Sequence, residues 1–467
     1  MKYRIEHDLL GERDVPADSY YGVHTLRALE NFPISGIPIS TYPNMIRALA
    51  CVKQACALAN NELELLDEKQ TNAIVKACEE IRAGELHSQF AVDVIQGGAG
   101  TSTNMNANEV IANRALELLG FARGEYKQLH PLEHVNMSQS TNDVYPTAIK
   151  VALYFEIDEL IAAMEILKIA FADKAAEFKD ILKMGRTQLQ DAVPMTLGQE
   201  FSTYAVMLEE DQQRLREAAS LIREINLGAT AIGTGINAHP DYAALARKYL
   251  SEVTGISYIT AGNLVEATQD AGAFVQLSGV LKRVAVKLSK ICNDLRLLSS
   301  GPRAGLGEIN LPAVQAGSSI MPGKVNPVIP EVVNQIAFLV IGNDITVTFA
   351  AEGGQMQLNA FEPIIAHSLL DSLKYLRQGC LTLAERCVKG ITANRERLAD
   401  LVNRSIGIVT ALNPIIGYEN ATAVAKEAQA TGKGVAEIVL AKGLLTKEQL
   451  DDILRPEVLT QPRWFKK

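Results

Sequence analysis

Apolar side chains in the middle of this chain recur at intervals of three and four residues. An average spacing near 3.5 residues is typical of the seam between helices that pack almost parallel to one another. The pattern therefore predicts a bundle of long helices. Three seams carry it: Leu153, Ile157, Leu160, Met164, Leu167 and Phe171; Phe201, Tyr204, Leu208, Leu215, Ala218, Ile222 and Ile225, with polar Asp211 in the missing place; and Phe274, Leu277, Leu281, Val284, Leu288, Ile291, Leu295 and Leu298.

The seams belong to long helices that need several neighbours to cover their apolar stripes. Apolar residues also lie off the main seams, at Ile161, Ile166, Val275 and Val286. We therefore expect the bundle to extend across the subunits of an oligomer. The five long helices are expected at about 141–173, 196–226, 264–299, 328–350 and 363–391.

The pattern changes on both sides of this bundle. Before residue 140 it is shorter and interrupted by prolines, and after residue 392 it changes to short helices. One of these short helices should begin at Thr446, because Gln449 three residues later completes a capping box. The sequence predicts an N-terminal domain (1–140), a central helical-bundle domain (141–392) and a small C-terminal helical domain (393–467).

Charge and cysteine usage exclude several classes of protein. A formal charge of −9 with no basic block argues against a nucleic-acid surface. The mixed charges of residues 1–18 do not resemble a signal peptide, and no segment is expected to span a bilayer, so we expect a cytoplasmic protein. The six cysteines include no Cys-x-x-Cys pair and should be reduced core residues. We expect no metal site, no required cofactor and no membrane or nucleic-acid partner.

Four loops between the helices are rich in small hydroxyl and amide side chains: 97–109, 136–148, 184–196 and 317–327. Such residues before a helix are often only N-caps, and Ser140, Thr141 or Asn142 could have that role alone. If the loops converge, they supply neutral donors and one fixed positive charge, which suits a small dicarboxylate. The donors are Thr101, Ser140, Thr141, Thr187, Ser319 and Asn326, and the charge is Lys324.

The last of these loops, GSSIMPGKVNP, is not a nucleotide-binding loop. Five residues separate Gly317 from Gly323 where a phosphate-binding loop needs four, and Val325 occupies the position of its magnesium-binding hydroxyl residue. Pro322 removes a backbone donor as well. Dinucleotide, zinc-protease and serine-hydrolase motifs are also missing from the sequence.

The same loop, extended to AGSSIMPGKVNPVIPEVVNQ (316–335), resembles the signature of the aspartase/fumarase superfamily of lyases. The segments ERDVPADSYYGVHTLRALENF (12–32), GAGTSTNMNANEVIANRA (98–115), HVNMSQSTNDVYPTA (134–148) and GRTQLQDAVPMTLGQE (185–200) are similar to that family too. The resemblance implies an all-α fold with a central bundle. It also implies a homotetramer whose active sites are shared by three subunits.

The resemblance further implies an anti-elimination that releases fumarate. Ser318 is then the base, acting as an alkoxide, and Ser319 contacts the carboxylate that becomes the enediolate. Since a serine hydroxyl does not ionise unaided at neutral pH, its anion needs nearby N–H groups and a cation. By the same resemblance, the reacting carboxylate is bound by Thr101, Ser140, Thr141 and Ser319, and the other carboxylate by Thr187, Lys324 and Asn326. The leaving group lies near Asn142 and Gln188. The mobile loop is formed by Gly317, Ile320, Met321, Pro322 and Gly323.

The choice of lyase depends on a few positions. Class II fumarases typically have histidine where this chain has Gln188, and serine where it has Thr141. Hydroxide is a poor leaving group that needs a proton donor, whereas an ammonium group leaves as ammonia without one. The sequence therefore favours a carbon–nitrogen lyase that reversibly deaminates L-aspartate to fumarate and ammonia. The alternative is a class II fumarase, which interconverts malate and fumarate.

Two other interpretations are less favoured. Lyases that act on argininosuccinate or adenylosuccinate use a histidine from the second loop, where this chain has Ser140 and Thr141. A non-catalytic helical scaffold is the alternative of another class, because relatives of these enzymes can serve as structural proteins. The intact set of Thr101, Ser318, Lys324 and Asn326 argues against it.

Overall fold

The fold is built almost entirely from helices, as the sequence predicts. The computed structural model describes residues 2–462. The α-helices are α1 (Val23–Asn31), α2 (Pro43–Glu62), α3 (Glu68–Arg82), α4 (Thr101–Leu118), α5 (Thr141–Glu177), α6 (Leu197–Leu221), α7 (Tyr242–Thr254), α8 (Leu264–Ala267), α9 (Gly272–Leu298), α10 (Val328–Glu352), α11 (Glu362–Arg386), α12 (Arg395–Arg404), α13 (Val409–Ile416), α14 (Tyr418–Thr431), α15 (Val435–Ala441), α16 (Lys447–Ile453) and α17 (Pro456–Leu459). The strands are β1 (Tyr3–Asp8), β2 (Gly11–Pro16), β3 (Leu182–Thr187), β4 (Gln190–Thr196), β5 (Glu224–Ile225), β6 (Ile259–Thr260), β7 (Ile309–Asn310) and β8 (Thr392–Ala393).

The five predicted long helices are confirmed as α5, α6, α9, α10 and α11. The seam residues that define three of them are buried. Three boundaries are wrong. Helix α6 ends at Leu221 and not near 226, and α11 ends at Arg386 and not near 391. The helix expected from residue 264 is interrupted after α8, and α9 begins only at Gly272. Asp270 explains the restart, since its carboxylate accepts a hydrogen bond of 2.8 Å from the backbone N–H of Gly272.

The chain forms two compact units. The first comprises Met1–Ile161, Gln213–Ala285 and Phe338–Leu376, and the second comprises Ala162–Gln212, Val286–Ala337 and Arg377–Lys467. Each of the five long helices contributes residues to both units. The three-domain division at residues 140 and 392 remains a prediction.

Neighbouring long helices pack through both apolar and polar contacts. In the second unit, α5 and α6 meet through aromatic rings, with 5.3 Å between the ring centroids of Phe171 and Tyr204. In the first unit, α9 and α10 are joined by Asp344, whose carboxylate accepts hydrogen bonds from Ser278 (2.8 Å) and Lys282 (2.6 Å). These paired polar groups fix which helices are neighbours, in addition to apolar burial.

Helix α10 exposes an unusual number of large apolar side chains. The expectation that no segment could span a bilayer is wrong for α10 by length and composition alone, and only a third of its apolar stretch is buried. Its ion pair between Asp344 and Lys282 is instead typical of a helix packed against protein. The exposed residues of α10 are Val332, Phe338, Leu339, Ile345 and Phe349.

Within residues 2–462, four small two-stranded sheets accompany the helices, and the sequence patterns did not predict them. The expectation that 184–196 is a loop is wrong, because most of it forms the antiparallel hairpin β3–β4. The C-terminal helices have their own apolar cluster, which includes Leu412, Val424 and Ile438. The predicted capping box at Thr446 and Gln449 is confirmed at the start of α16.

Candidate functional site

Thr101 lies at the first turn of α4, directly after a glycine-rich turn in the first unit. Gly98 and Gly100 have left-handed φ angles of +90° and +89°. A Cβ atom on Gly100 would lie 2.2 Å from the ring of Tyr145, so glycine is required there for both conformation and space. The Thr101 hydroxyl donates to the Gly98 carbonyl (2.7 Å), and the side chain remains exposed at the helix N-terminus.

Ser140 caps the first turn of α5, which confirms the capping role considered for it. Its hydroxyl accepts from the backbone N–H of Asn142 (3.2 Å), and its own N–H donates to Asp143 (3.0 Å). The other oxygen of Asp143 accepts from the N–H groups of Gly228 and Thr230, both at 3.0 Å. Burial raises the pKa of Asp143 to about 6, although these backbone donors and Lys53 oppose the shift.

Thr141 belongs to a buried polar network that reaches α2. Its hydroxyl accepts from the Asn104 amide (3.1 Å), and that amide also donates to Asn136 (3.2 Å). The side-chain oxygen of Asn136 accepts from the fully buried Lys53 as well (2.9 Å). Burial lowers the pKa of Lys53 to about 8, with nearby thiols and Asp143 opposing the shift. The network fixes the orientation of the Thr141 hydroxyl.

Asn142 is held by the segment 225–231, which contributes both a side-chain donor and a backbone acceptor. This segment begins at the end of β5, several residues beyond the end of α6. The Asn142 side chain donates to the carbonyl of Ala231 (2.7 Å), and Asn226 donates to the Asn142 carbonyl (3.0 Å). The segment therefore supports the second predicted loop.

Thr187 and Gln188 lie at the exposed tip of the β3–β4 hairpin in the second unit. Gln188 and Leu189 form a two-residue turn in which both residues have left-handed φ angles, +56° and +62°. Such turns usually contain glycine or asparagine, because other side chains are strained in this conformation. The strain is confined to the tip, since Thr187 is paired with Gln190.

The loop 317–327 is a compact turn closed on itself. The N–H of Gly317 donates to the Lys324 carbonyl (2.8 Å), and the Asn326 side chain donates to the Gly317 carbonyl (2.8 Å). A Cβ atom on Gly317 would lie 2.4 Å from the Lys324 carbonyl oxygen, so this position requires glycine. The ends of the loop are thereby held together, while Ile320 and Met321 remain exposed.

The hydroxyl of Ser318 is the one in this loop that accepts hydrogen bonds from two backbone N–H groups. Its Oγ accepts hydrogen bonds from the backbone N–H groups of Ile320 (3.2 Å) and Met321 (3.0 Å). Two N–H groups that point at one oxygen stabilise negative charge on it. Ser319 beside it is exposed.

An open cavity of about 410 Å³ adjoins the loop in the second unit. Its lining combines two cationic side chains, Arg296 and Lys324, with hydroxyl and amide groups. Such a surface suits a small anion. The polar residues along it are Ser299, Ser300, Asn310 and Asn326.

The predicted site residues therefore form two groups, one in each unit. Residues 101 and 140–142 lie in the first, and residues 187–188 and 317–326 lie in the second. The sequence analysis did not identify Lys53 and Asp143, which support the predicted residues. The sequence offered only weak signs of them: Lys53 is a charged residue in an apolar helix, and Asp143 follows the capping residue Ser140 by three positions. Among residues 2–462, no group of three or more metal-ligating side chains could hold a metal ion.

Comparisons with known proteins cover nearly the whole chain. A family model described as Lyase matches residues 11–342, and one described as Fumarase C C-terminus matches residues 408–461. The aspartate ammonia-lyase of Helicobacter pylori (strain J99) is 60% identical over 464 residues, 99% of each protein. The fumarate lyase:delta crystallin from Brucella melitensis bound to cobalt has a TM-score of 0.96 and 57% identity, covering 98% of this chain and 100% of that one. The class II fumarase from Schistosoma mansoni has a TM-score of 0.91 and 35% identity, covering 97% and 98%.

Proposed function

The chain belongs to the aspartase/fumarase superfamily of lyases, and from that premise we propose that it catalyses the reversible deamination of L-aspartate to fumarate and ammonia. The observation that carries the proposal is the 60% identity, over 99% of both chains, to a protein named aspartate ammonia-lyase. Identity to the class II fumarase is only 35%. Gln188, which cannot donate a proton to a leaving hydroxide, supports the same choice.

Ser318 is the proposed base. As an alkoxide it takes the proton from the carbon next to one carboxylate, and the electron pair moves into that carboxylate to give an enediolate. The N–H groups of Ile320 and Met321 support this role, because they already point at the Ser318 oxygen and stabilise its anion. The same contacts would also form in an ordinary serine turn, so substitution of Ser318 is the decisive test.

The enediolate carries two negative charges on one carboxylate, which need fixed donors. We assign this carboxylate to Thr101, Ser140, Thr141 and Ser319. Thr101 stands at the N-terminus of α4, where the helix dipole favours an anion. The second carboxylate is assigned to Thr187, Lys324 and Asn326, and the anion-compatible cavity beside Lys324 supports that assignment.

Collapse of the enediolate then breaks the bond between carbon and nitrogen. The ammonium group leaves as neutral ammonia, taking both electrons of the bond, so no acid is required. We assign Gln188 and Asn142 to the ammonium group, since an amide oxygen can accept from it. Closure of the exposed loop residues Ile320 and Met321 over the substrate would exclude water during these steps.

The proposal includes a homotetramer with active sites shared between subunits, located in the cytoplasm. The exposed apolar side chains of α10, including Phe338 and Phe349, support subunit contacts along the bundle. Val286 and Ile166, which lie off the seams, are also exposed. All six thiols are free and buried, which suits a reducing compartment.

The first experiment supplies purified protein with L-aspartate and, separately, with L-malate. Fumarate is followed by its ultraviolet absorbance and ammonia by a coupled assay. Fumarate and ammonia in equal amounts from aspartate alone would support the proposal. Fumarate from malate would make the chain a fumarase, and no product from either substrate would favour the scaffold role.

A second experiment tests the base directly. Ser318→Ala should abolish turnover while aspartate still binds, whereas Ser202→Ala, an exposed helical serine, should leave both unchanged. Normal turnover by the Ser318 variant would exclude it as the base. Co-assembly of inactive Thr187 and Ser318 variants should restore part of the activity if sites are shared between subunits, and complete inactivity would count against sharing.

A further inference from the structure

A cluster of four charged side chains joins strand β3 to its neighbours; Glu308 and Lys183 are buried, and Arg186 and Glu200 are partly exposed. Glu308 is fully buried, and its carboxylate faces two cations of strand β3: its Oε2 is 3.1 Å from Lys183 Nζ, and its Oε1 is 2.5 Å from Arg186 Nη1. Lys183 also pairs with Glu200 at the start of α6. Neither oxygen of Glu308 accepts a well-directed hydrogen bond within residues 2–462, so the contacts are charge pairs. Two carboxylates and two cations make the cluster neutral, and the loss of any single one of them leaves a net charge.

Lys183 and Arg186 do not share a face in a regular strand. Residues three apart in a strand point to opposite sides of a sheet. The register of β3 against β4 shifts between Met184 and Arg186, where β3 advances by two residues and β4 by three, so the extra residue lies in β4; both cations of β3 nevertheless reach one carboxylate. Glu308 thus holds β3 on both sides of the shift, directly before Thr187 and Gln188.

The backbone of Glu308 is itself fixed. Its N–H donates to the Leu298 carbonyl at the end of α9, and its carbonyl accepts from the N–H of Asn394, both at 2.9 Å. Strand β7 continues directly from it and pairs with β8. These backbone contacts do not involve the β3–β4 hairpin, so the position of the Glu308 carboxylate is set independently of the hairpin that it binds.

We propose that Glu308 is a positioning residue: through its charge pairs with Arg186 and Lys183 it determines the position and orientation of the Thr187–Gln188 tip. The inference rests on the proposed function, in which this tip binds one carboxylate and the amine of aspartate. The tip is a two-residue turn of strained, exposed residues, and it is held from the two strands beside it: on the β4 side by a hydrogen bond of 2.8 Å from Ser405 to Asp191, and on the β3 side by the charge pairs of Glu308. A displacement of about 1 Å at such a site lowers activity about 100-fold in the worst case.

The test separates positioning from general stability by restoring neutrality. Glu308→Gln leaves one uncompensated buried positive charge and should lower the melting temperature and raise KM for aspartate at least tenfold. Adding Arg186→Met removes that excess charge and leaves the pair of Lys183 with Glu200 intact, so the double variant should regain most of the melting temperature and keep the raised KM. A KM that returns to the wild-type value together with the melting temperature would overturn the proposal.

Amide hydrogen exchange gives a measurement that does not depend on activity. Amides of residues 184–195 should exchange at least tenfold faster in the double variant, while amides of α9 keep their wild-type rates. Unchanged hairpin exchange would overturn the proposal even if the wild-type protein does not deaminate aspartate. Glu308→Asp, which keeps the charge but shortens the side chain, provides the same readout if the glutamine variants fail to fold. Glu385→Gln, at an exposed pair with Lys389, is the matched control and should change nothing.

Discussion

Replacing Asp143 by asparagine should change how stability depends on pH. Burial raises the pKa of this carboxyl group from its usual 3.8 to about 6. Between these two pH values, the folded protein retains a proton that the unfolded chain has already lost. This group's contribution to stability is therefore complete below about pH 4 and is lost as the pH rises through 6. At 1.36 kcal/mol for each pH unit, the loss amounts to about 3 kcal/mol.

Asparagine has no proton to lose over this range, so the variant lacks that dependence. Its single carbonyl oxygen can still serve Gly228 and Thr230, but the N–H of Ser140 then loses its acceptor, at a cost of about 1–3 kcal/mol. The free energy of unfolding of the variant, relative to wild type, should therefore improve by about 3 kcal/mol between pH 4 and pH 7. The two opposing effects should leave the variant within about 2 kcal/mol of wild type at pH 7.

Urea unfolding followed by circular dichroism measures this difference at pH 4, 5, 6 and 7, at one protein concentration. Asp451→Asn, at an exposed position of α16, is the control and should follow the wild-type curve. The reasoning is refuted if the difference between Asp143→Asn and wild type stays constant over the whole range, because Asp143 would then ionise alike in both states.

Three further outcomes are expected. Lys324→Met should raise KM for aspartate about tenfold or more, since a charged hydrogen bond to a carboxylate is lost, and steady-state kinetics with an unchanged KM would exclude that role. Gly100→Ala should destabilise the fold by about 2–5 kcal/mol, because it combines a left-handed φ with an aromatic ring 2.2 Å from the new Cβ, and a normal melting temperature would contradict this. Glu362→Gln should stabilise the protein at pH 7 and lose this advantage below about pH 4, because burial raises the pKa of Glu362 to about 8; equal stabilisation at both pH values would contradict the cause.

The long helices could be predicted because their signal is local and repeated. Each of the six seam residues from Leu153 to Phe171 adds to one periodic pattern, and all six are buried. The hairpin β3–β4 could not be predicted in the same way. Its turn residues, Gln188 and Leu189, are neither glycine nor asparagine, and its register shift removes the regular alternation by which strands are found.

The polar supports of the site were also beyond sequence reasoning, for a different reason. Lys53 meets Asn136 across 83 residues, and Arg186 meets Glu308 across 122. A lone charged residue in an apolar pattern gives no indication of its partner, because the partner is set by tertiary packing. By contrast, the role of Ser140 as a cap could be considered in advance, since its contacts lie within three residues.

The strained tip of the β3–β4 hairpin has a practical consequence for anyone who evolves this protein towards heat resistance. Gln188 and Leu189 both hold a left-handed conformation that costs about 1–2 kcal/mol per residue, and glycine would relieve either one. The two positions are nearly equal in strain but not in assigned role, because only Gln188 is expected to contact the amine. A library screened only for survival of heating would therefore accept glycine at both positions. Heat-resistant clones with glycine at 189 should keep their turnover, whereas those with glycine at 188 should lose it.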